Sequence, residues 1–399
     1  MKKFAIISPL LPPTNSGQPL VLHSLLKNFN PEDYCLISEA DYSDNIIGRH
    51  SEKKLNCKYF CIKLFSKKYY LNRLMEKMIL KFNFLLPEKF LKNLIKKRIA
   101  CIEKILADEK CEVAIACTGS IFDPVATYYA AKNLGIKFIF YVFDMYSQQF
   151  TFQEGIAFTK KYEKILLNNS DKLILTNEFV HNEYLSDYGV KGVIIHNPVP
   201  CELKKEPGNL YNSGFNADDM EILYAGSIYA AHYDAFRNLV GALKKIKKGK
   251  LRIITSQREF VLKIKGIKGP VIYEKIKSQS EVFELQRKTD ILFLPLAFNS
   301  PYPKLINNSS PGKMGEYLAS GKPVLVHAPP DSFLSWYFRE YNCGIVADKA
   351  DPDYLAKKIG EIIDDKDLRE EIVNNALRCA DRDFSVLSGY ETLKYVINS

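Results

Sequence analysis

Lys313 and Glu316 are the residues whose types and spacing most directly suggest chemistry in this 399-residue chain. They sit in TDILFLPLAFNSPYPKLINNSSPGKMGEYLASGKPVLV, residues 289–326. Ser310 suits an N-cap, Pro311 the first helical position, and Gly312 lets a ligand approach the backbone closely. Lys313 falls in the first helical turn, where a cation opposes the helix dipole. A mobile positive charge there suits an anionic ligand, and a phosphate is the expected one. One turn on, the Glu316 carboxylate can accept two hydroxyl hydrogen bonds from a ribose. The competing reading is an ordinary capped helix with a solvated lysine.

The surrounding elements must hold those two residues in place. Residues 291–296 form a fully apolar strand of the kind buried on both faces of a parallel sheet. A long Pro/Asn/Ser loop precedes the helix 313–320, Gly321 suits a left-handed C-cap, and Pro323 leads into the strand 324–326. The same alternation recurs along the chain. Strand 4–8 runs into the loop 9–19, with Gly17 as its small residue, and then a helix from about Leu20. Strand 113–117 ends in Thr118-Gly119-Ser120. Strand 138–143 ends at Asp144, where a carboxylate lies in the ligand crevice of such sheets or else caps the next loop. The polar stretch CELKKEPGNLYNSGFNADDM separates two halves. Strand 221–225 then enters Gly226-Ser227, strand 251–255 leads to Arg258, and strand 271–273 leads to Lys275-Ile276-Lys277. The fold class is α/β with doubly wound parallel sheets. Two domains are expected, 1–200 and 201–383, with a last helix, 384–399, completing the first.

The run D-I-L-F-L-P-L followed by S-P-G-K-M-x-E-Y-L-A-x-G-K-P-V-L closely resembles the donor-binding segment of GT-B glycosyltransferases of the large retaining family four. YEKILLNNSDKLILTNEFVHNEYLSDYGVKGVIIHNPVP resembles the end of that family's N-terminal domain. The resemblance implies two Rossmann-like domains facing a central cleft, with the C-terminal helix crossing back to the N-terminal domain. It implies transfer of a sugar from a nucleotide-diphosphate donor to a hydroxyl of a glycan or lipid-linked acceptor, with retention and without a metal or other cofactor. It further implies a place in bacterial surface polysaccharide or glycoconjugate synthesis. Lys313, Asp144 and Gly17 are the implied catalytic positions. Gly226, Ser227, Arg258, Ile276, Asn308, Ser310, Pro311, Gly312, Lys313, Met314 and Glu316 are the implied donor-binding ones.

Three departures qualify the resemblance. Ser227 stands where many members have Arg, with no Lys before Lys244, leaving Arg237 or Arg258 as substitutes. Phe143 stands where a histidine often precedes the aspartate. Asn308 stands where many members have a first glutamate, eight residues before Glu316. These departures keep open a non-catalytic GT-B subunit that binds a sugar nucleotide or supports a partner enzyme. A GT-B epimerase would want more acidic and histidine residues in its cleft than six histidines in the whole chain suggest.

Composition is globular, 47% hydrophobic and 26% charged, with a formal net charge of +10. Residues 63–110 hold 13 Lys or Arg against 5 Asp or Glu, a net +8. This window reads as two amphipathic helices broken at Pro87. Its lysines, Lys92, Lys96 and Lys97 among them, form either a solvated face or a patch for anionic lipid. Nucleic acid is not expected, because no recognised binding module is present. Nine irregularly spaced cysteines read as reduced, mostly buried thiols of a cytosolic protein. MKKFAIISPLLPPT reads as a first strand rather than a leader, and no apolar run reaches the roughly 18 residues a spanning helix needs. The expected location is the cytoplasm, peripheral on the inner face of the plasma membrane. Oligomeric state is not legible.

Overall fold

The computed structural model describes the chain except residues 15, 43–53, 63–70, 72–73, 76, 79–87, 151, 200–214, 218 and 276; of residues 88–94 it describes the backbone alone. The described residues form two compact units, Met1–Pro198 together with Val386–Ser399, and Val199–Ser385. Each is a parallel sheet flanked by helices.

In the first unit the strands are β1 (Phe4–Ile7), β2 (Tyr34–Ser38), β3 (Lys58–Cys61), β4 (Val113–Cys117), β5 (Lys137–Val142), β6 (Lys172–Leu175) and β7 (Val193–Ile194). Their order is β3-β2-β1-β4-β5-β6-β7, and every pairing is parallel. β1, β2 and β4 are buried at every residue, which is why their sequences are almost continuously apolar. The order reverses between β1 and β4, so the loops leaving those strands flank a topological switch point.

The C-terminal helix Val386–Asn398 belongs to this unit. Leu393, Val396 and Ile397 join Leu22, Leu25 and Leu26 of the helix Gly17–Leu26 in one apolar cluster. Gly389 permits the approach, because a Cβ there would lie 2.8 Å from Leu25 Cδ2. Lys137 Nζ donates to the Val396 carbonyl at 2.6 Å.

The second unit contains β8 (Glu221–Ala225), β9 (Lys250–Thr255), β10 (Val271–Lys275), β11 (Ile291–Pro295), β12 (Val324–His327) and β13 (Ile345–Val346), in the order β10-β9-β8-β11-β12-β13. Again all pairings are parallel. β11 is buried throughout, as the apolar run from Ile291 predicts. Here the switch point lies between β8 and β11. The loop expected between β11 and the Lys313 helix contains a further short helix, Pro303–Asn307, begun by a proline at its first position.

The basic window differs from a uniformly solvated face. Arg98, on the helix Glu88–Asp108, is 1% exposed. It is ion-paired with Glu39 and, at 3.0 Å, with Asp123. Lys96 and Lys97 are exposed, whereas the side chain of Lys92 and the Pro87 break lie outside the described residues. The eight described cysteines are free thiols, five of them buried. Among the described residues no helix is long and apolar enough to cross a membrane.

Candidate functional site

At the end of β8 the chain turns through Gly226, whose φ of +143° lies in a region that L side chains rarely adopt. The turn brings the backbone against Lys313. A Cβ on Gly226 would meet Lys313 Nζ at 2.9 Å and Cε at 3.1 Å. Tyr224, fully buried on β8, donates its hydroxyl to the Ser227 carbonyl at 2.7 Å. The same oxygen accepts from Lys313 Nζ at 3.4 Å, and the ammonium stands 4.9 Å from the ring centre. Burial holds the Lys313 pKa below the ordinary lysine value, with Glu316 and Tyr229 pulling the other way. Gly226, Ser227, Lys313 and Glu316 therefore gather at the β8 side of the switch point.

The supporting loop is fastened from β11. Asp234 accepts from the Phe298 and Asn299 amides at 2.9 and 2.8 Å, and Ala297 donates to the Ala231 carbonyl at 2.8 Å. Ile228 donates to Gln257 Oε1 at 3.1 Å, tying in the loop after β9.

Several expectations are corrected here. The helix is Lys313–Leu318, and its N-cap is Gly312 rather than Ser310. A turn closed by Met314 N on the Pro311 carbonyl at 2.9 Å occupies the place expected for the first helical residues. Met314 is fully buried. Its side chain packs in the core, and its amide is already engaged by Pro311. Gly312 is exposed with nothing within 4 Å of a built Cβ, and Ser310, Pro311 and Asn308 are half-buried beside it. Arg258 is exposed at the N-cap of the helix Glu259–Ile264. Arg237, also exposed, donates to the Lys265 carbonyl at 3.3 Å. Neither arginine bonds to the Lys313 cluster among the described residues. Ile276 lies outside the described residues.

Sequence reasoning missed His232. This imidazole is 7% exposed, and its ring centre lies 4.5 Å from that of Tyr229 and 6.1 Å from that of Tyr224. Burial and the Lys313 ammonium push its pKa down to about 3. The signal was present in EILYAGSIYAAH, but a lone histidine carries no periodicity.

In the first unit Asp144 follows β5. Thr118 Oγ1, from the loop after β4, accepts from the amides of Phe143 and Asp144 at 3.0 and 3.3 Å. The Asp144 side chain is exposed yet crowded, and desolvation raises its carboxyl pKa above the usual range. It makes no hydrogen bond to the following loop among the described residues, so the capping alternative finds no support. Gly17 opens its helix with nothing within 4 Å of a built Cβ. Gly119 has φ +116°, and a Cβ there would meet Pro9 Cγ at 2.9 Å.

Four aspartates near the C-terminus are taken up by the structure. Asp351 and Asp365 cap helices, Asp353 pairs with Lys245, and Asp383 binds Tyr337 and Arg382.

Residues 219–365, which include the whole Lys313 cluster, match the family model described as "Glycosyl transferases group 1". No curated protein matches the sequence. Among solved structures the chain is similar to a glycosyltransferase from Rickettsia africae, at 15% identity and TM-score 0.66, covering 99% of this chain and 97% of the other. It is similar to sucrose-phosphate synthase from Thermosynechococcus elongatus at 13% identity and TM-score 0.68, covering 100% and 98%. It is likewise similar to Anabaena HepE, solved with UDP and glucose, at 14% identity and TM-score 0.66, covering all of both chains. The two Rossmann-like units with a returning C-terminal helix are the GT-B fold.

Proposed function

We propose that this chain is a retaining glycosyltransferase that moves a sugar from a nucleotide-diphosphate donor to a hydroxyl of a glycan or lipid-linked acceptor. The observation that carries the reading is the Lys313 ammonium, desolvated against Gly226 at a sheet switch point inside the segment matched by the family model. Positive charge held in a water-poor setting acts strongly on charge that develops on a leaving diphosphate. Glu316, one helical turn on, is the proposed ribose acceptor, and the Gly226-Ser227 turn the proposed diphosphate neighbour. The reaction then needs no metal. HepE was solved with UDP-glucose and Staphylococcus aureus TarM with UDP, which supports a nucleotide-diphosphate donor here. Val199–Ser385 is the proposed donor-binding unit, and Met1–Pro198 with Asp144 the proposed acceptor-binding one.

We also infer that the first unit docks on an anionic membrane from the cytoplasmic side. Leu71, Leu74, Met75 and Met78 are exposed at the spacing of one helix face, inside the window of net +8. A place in surface polysaccharide or glycoconjugate synthesis fits that geometry.

Calorimetry and a transfer assay with a panel of nucleotide sugars test the reading. Binding with transfer to an acceptor supports it. Binding without transfer or donor hydrolysis favours the non-catalytic subunit, the reading that Ser227 and Asn308 favour. No binding overturns both.

A further inference from the structure

His232 is nine-tenths buried, and its Nδ1 has no hydrogen-bond partner among the described residues. Buried polar atoms of this kind are normally satisfied, and an unsatisfied one calls for a functional account. The groups facing the ring are few. Tyr224 packs from β8, and burial keeps its phenol neutral. Tyr229, 55% exposed, covers the imidazole edge-on. Lys313 acts on it from the helix Lys313–Leu318. Asp234, two residues along, turns its carboxylate oxygens to the amides of Ala235, Phe298 and Asn299 and makes no hydrogen bond to the imidazole among the described residues. Glu316 acts on Lys313 in the opposite sense to burial.

Two groups able to carry positive charge thus share one spot, and the Lys313 ammonium disfavours charge on the imidazole. A ligand with two negative charges reverses that balance. It adds attraction to both groups and supplies acceptor oxygens for an N–H that no protein atom accepts, in the charge-assisted form that is the stronger kind. Resting on the donor-site reading above, we propose that His232 is the second cation of that site. It takes one proton from solvent as a nucleotide-sugar diphosphate binds beside Lys313, and donates an N–H to a phosphate oxygen. Tyr229 is the exposed ring that must yield for the contact to form. The proton stays on the imidazole while the diphosphate is bound and returns to solvent on release. Donor affinity is then linked to pH: it rises as pH falls through and below the pKa that His232 acquires in the complex.

The test is calorimetric titration of the full chain and of His232→Gln and His232→Lys with UDP-glucose, GDP-mannose and ADP-glucose. Buffers of differing ionisation enthalpy report protons taken up. These diphosphate diesters keep a fixed charge near neutrality, so an absorbed proton belongs to the protein. Wild-type affinity should rise by up to about tenfold per pH unit between about pH 7.5 and about pH 5.5, with measurable proton uptake. His232→Gln should bind more weakly and without that slope. His232→Lys should restore tight binding and still lack the slope, which a merely structural histidine would not do. Wild-type binding with no proton uptake, or variants that keep the wild-type slope, overturns the proposal and leaves the donor site standing. If none of the three sugars binds a normally melting wild type, the donor-site reading fails and the proposal with it.

Discussion

Lys313 Nζ lies 3.4 Å from the hydroxyl of Tyr224 and 4.9 Å from the centre of its ring. The tyrosine turns its own proton to the Ser227 carbonyl and leaves a lone pair for the ammonium. A lysine seated on an aromatic ring and one hydroxyl, its charge disfavoured by burial and favoured by Glu316, gains further from an anion placed beside it.

Replacing Lys313 with Ala should therefore lower kcat more than donor affinity, because the charge it answers grows as the diphosphate leaves. Losses of about a hundredfold in kcat are typical for removing one such group. EDTA should change little. Equal losses in kcat/KM and affinity with kcat unchanged, or a strict divalent requirement, would contradict this role.

Glu316→Gln should weaken nucleotide-sugar binding by roughly 1.5–3 kcal/mol, the range for a hydrogen bond to a charged group. The melting temperature should hold, since the side chain is half-buried at the site rather than in the core. Calorimetry finding unchanged affinity would remove the ribose role.

The Lys313 site was legible because its signals are local. An unbroken apolar strand, a loop of small residues and a Lys three positions before a Glu are all readable in one stretch. Its cap was misread because Ser310 and Gly312 both fit a helix start, and the Pro311–Met314 turn that separates them depends on three-dimensional closure. His232 was missed for a related reason: its meaning comes from Lys313, 81 positions away, and from burial. Arg98 makes the same point in the other direction. Within a run of lysines a charge count cannot tell which cation turns inward, and that is decided by Glu39 and Asp123, distant in sequence. The parallel order of both sheets was legible from the strand–helix alternation.

Arg98 lies between Glu39 and Asp123 in the first unit. Burial raises the Asp123 carboxyl pKa from 3.8 to about 7, Arg98 pulls it down, and Glu39 pushes it up. The folded value exceeds the unfolded one, so the native state holds this proton more tightly. Its stabilisation is complete below the unfolded pKa and is lost as pH rises through about 7. Asp123→Asn has no proton to lose, so its Tm should fall less than that of wild type between about pH 5 and about pH 8. Parallel Tm curves would refute the assignment. Arg98→Met leaves buried carboxylates without their cation and should cost about 3–5 kcal/mol.

The basic window gives the last prediction. Lys96 and Lys97 are exposed on the helix Glu88–Asp108, and Leu71, Leu74, Met75 and Met78 are exposed at the i, i+3, i+4, i+7 spacing of one helical face. A surface shaped only for solubility would mix both charge signs and cover such residues. Lipid docking uses both features. The charge attracts anionic headgroups, and the apolar side chains enter the interface once the helix is near. Neutralising Lys92, Lys96 and Lys97 together should weaken liposome binding by about 3 kcal/mol, at about 1 kcal/mol for each cation near the surface. Leu74→Ser with Met78→Ser should weaken the part of binding that survives high salt, while the lysine contribution fades as the Debye length shortens. Transfer to a soluble acceptor analogue should be little affected in either variant, since none of these residues belongs to the Lys313 cluster. Flotation showing no preference for anionic over neutral vesicles would return the lysines to an ordinary solvated face and leave the apolar stripe to another partner.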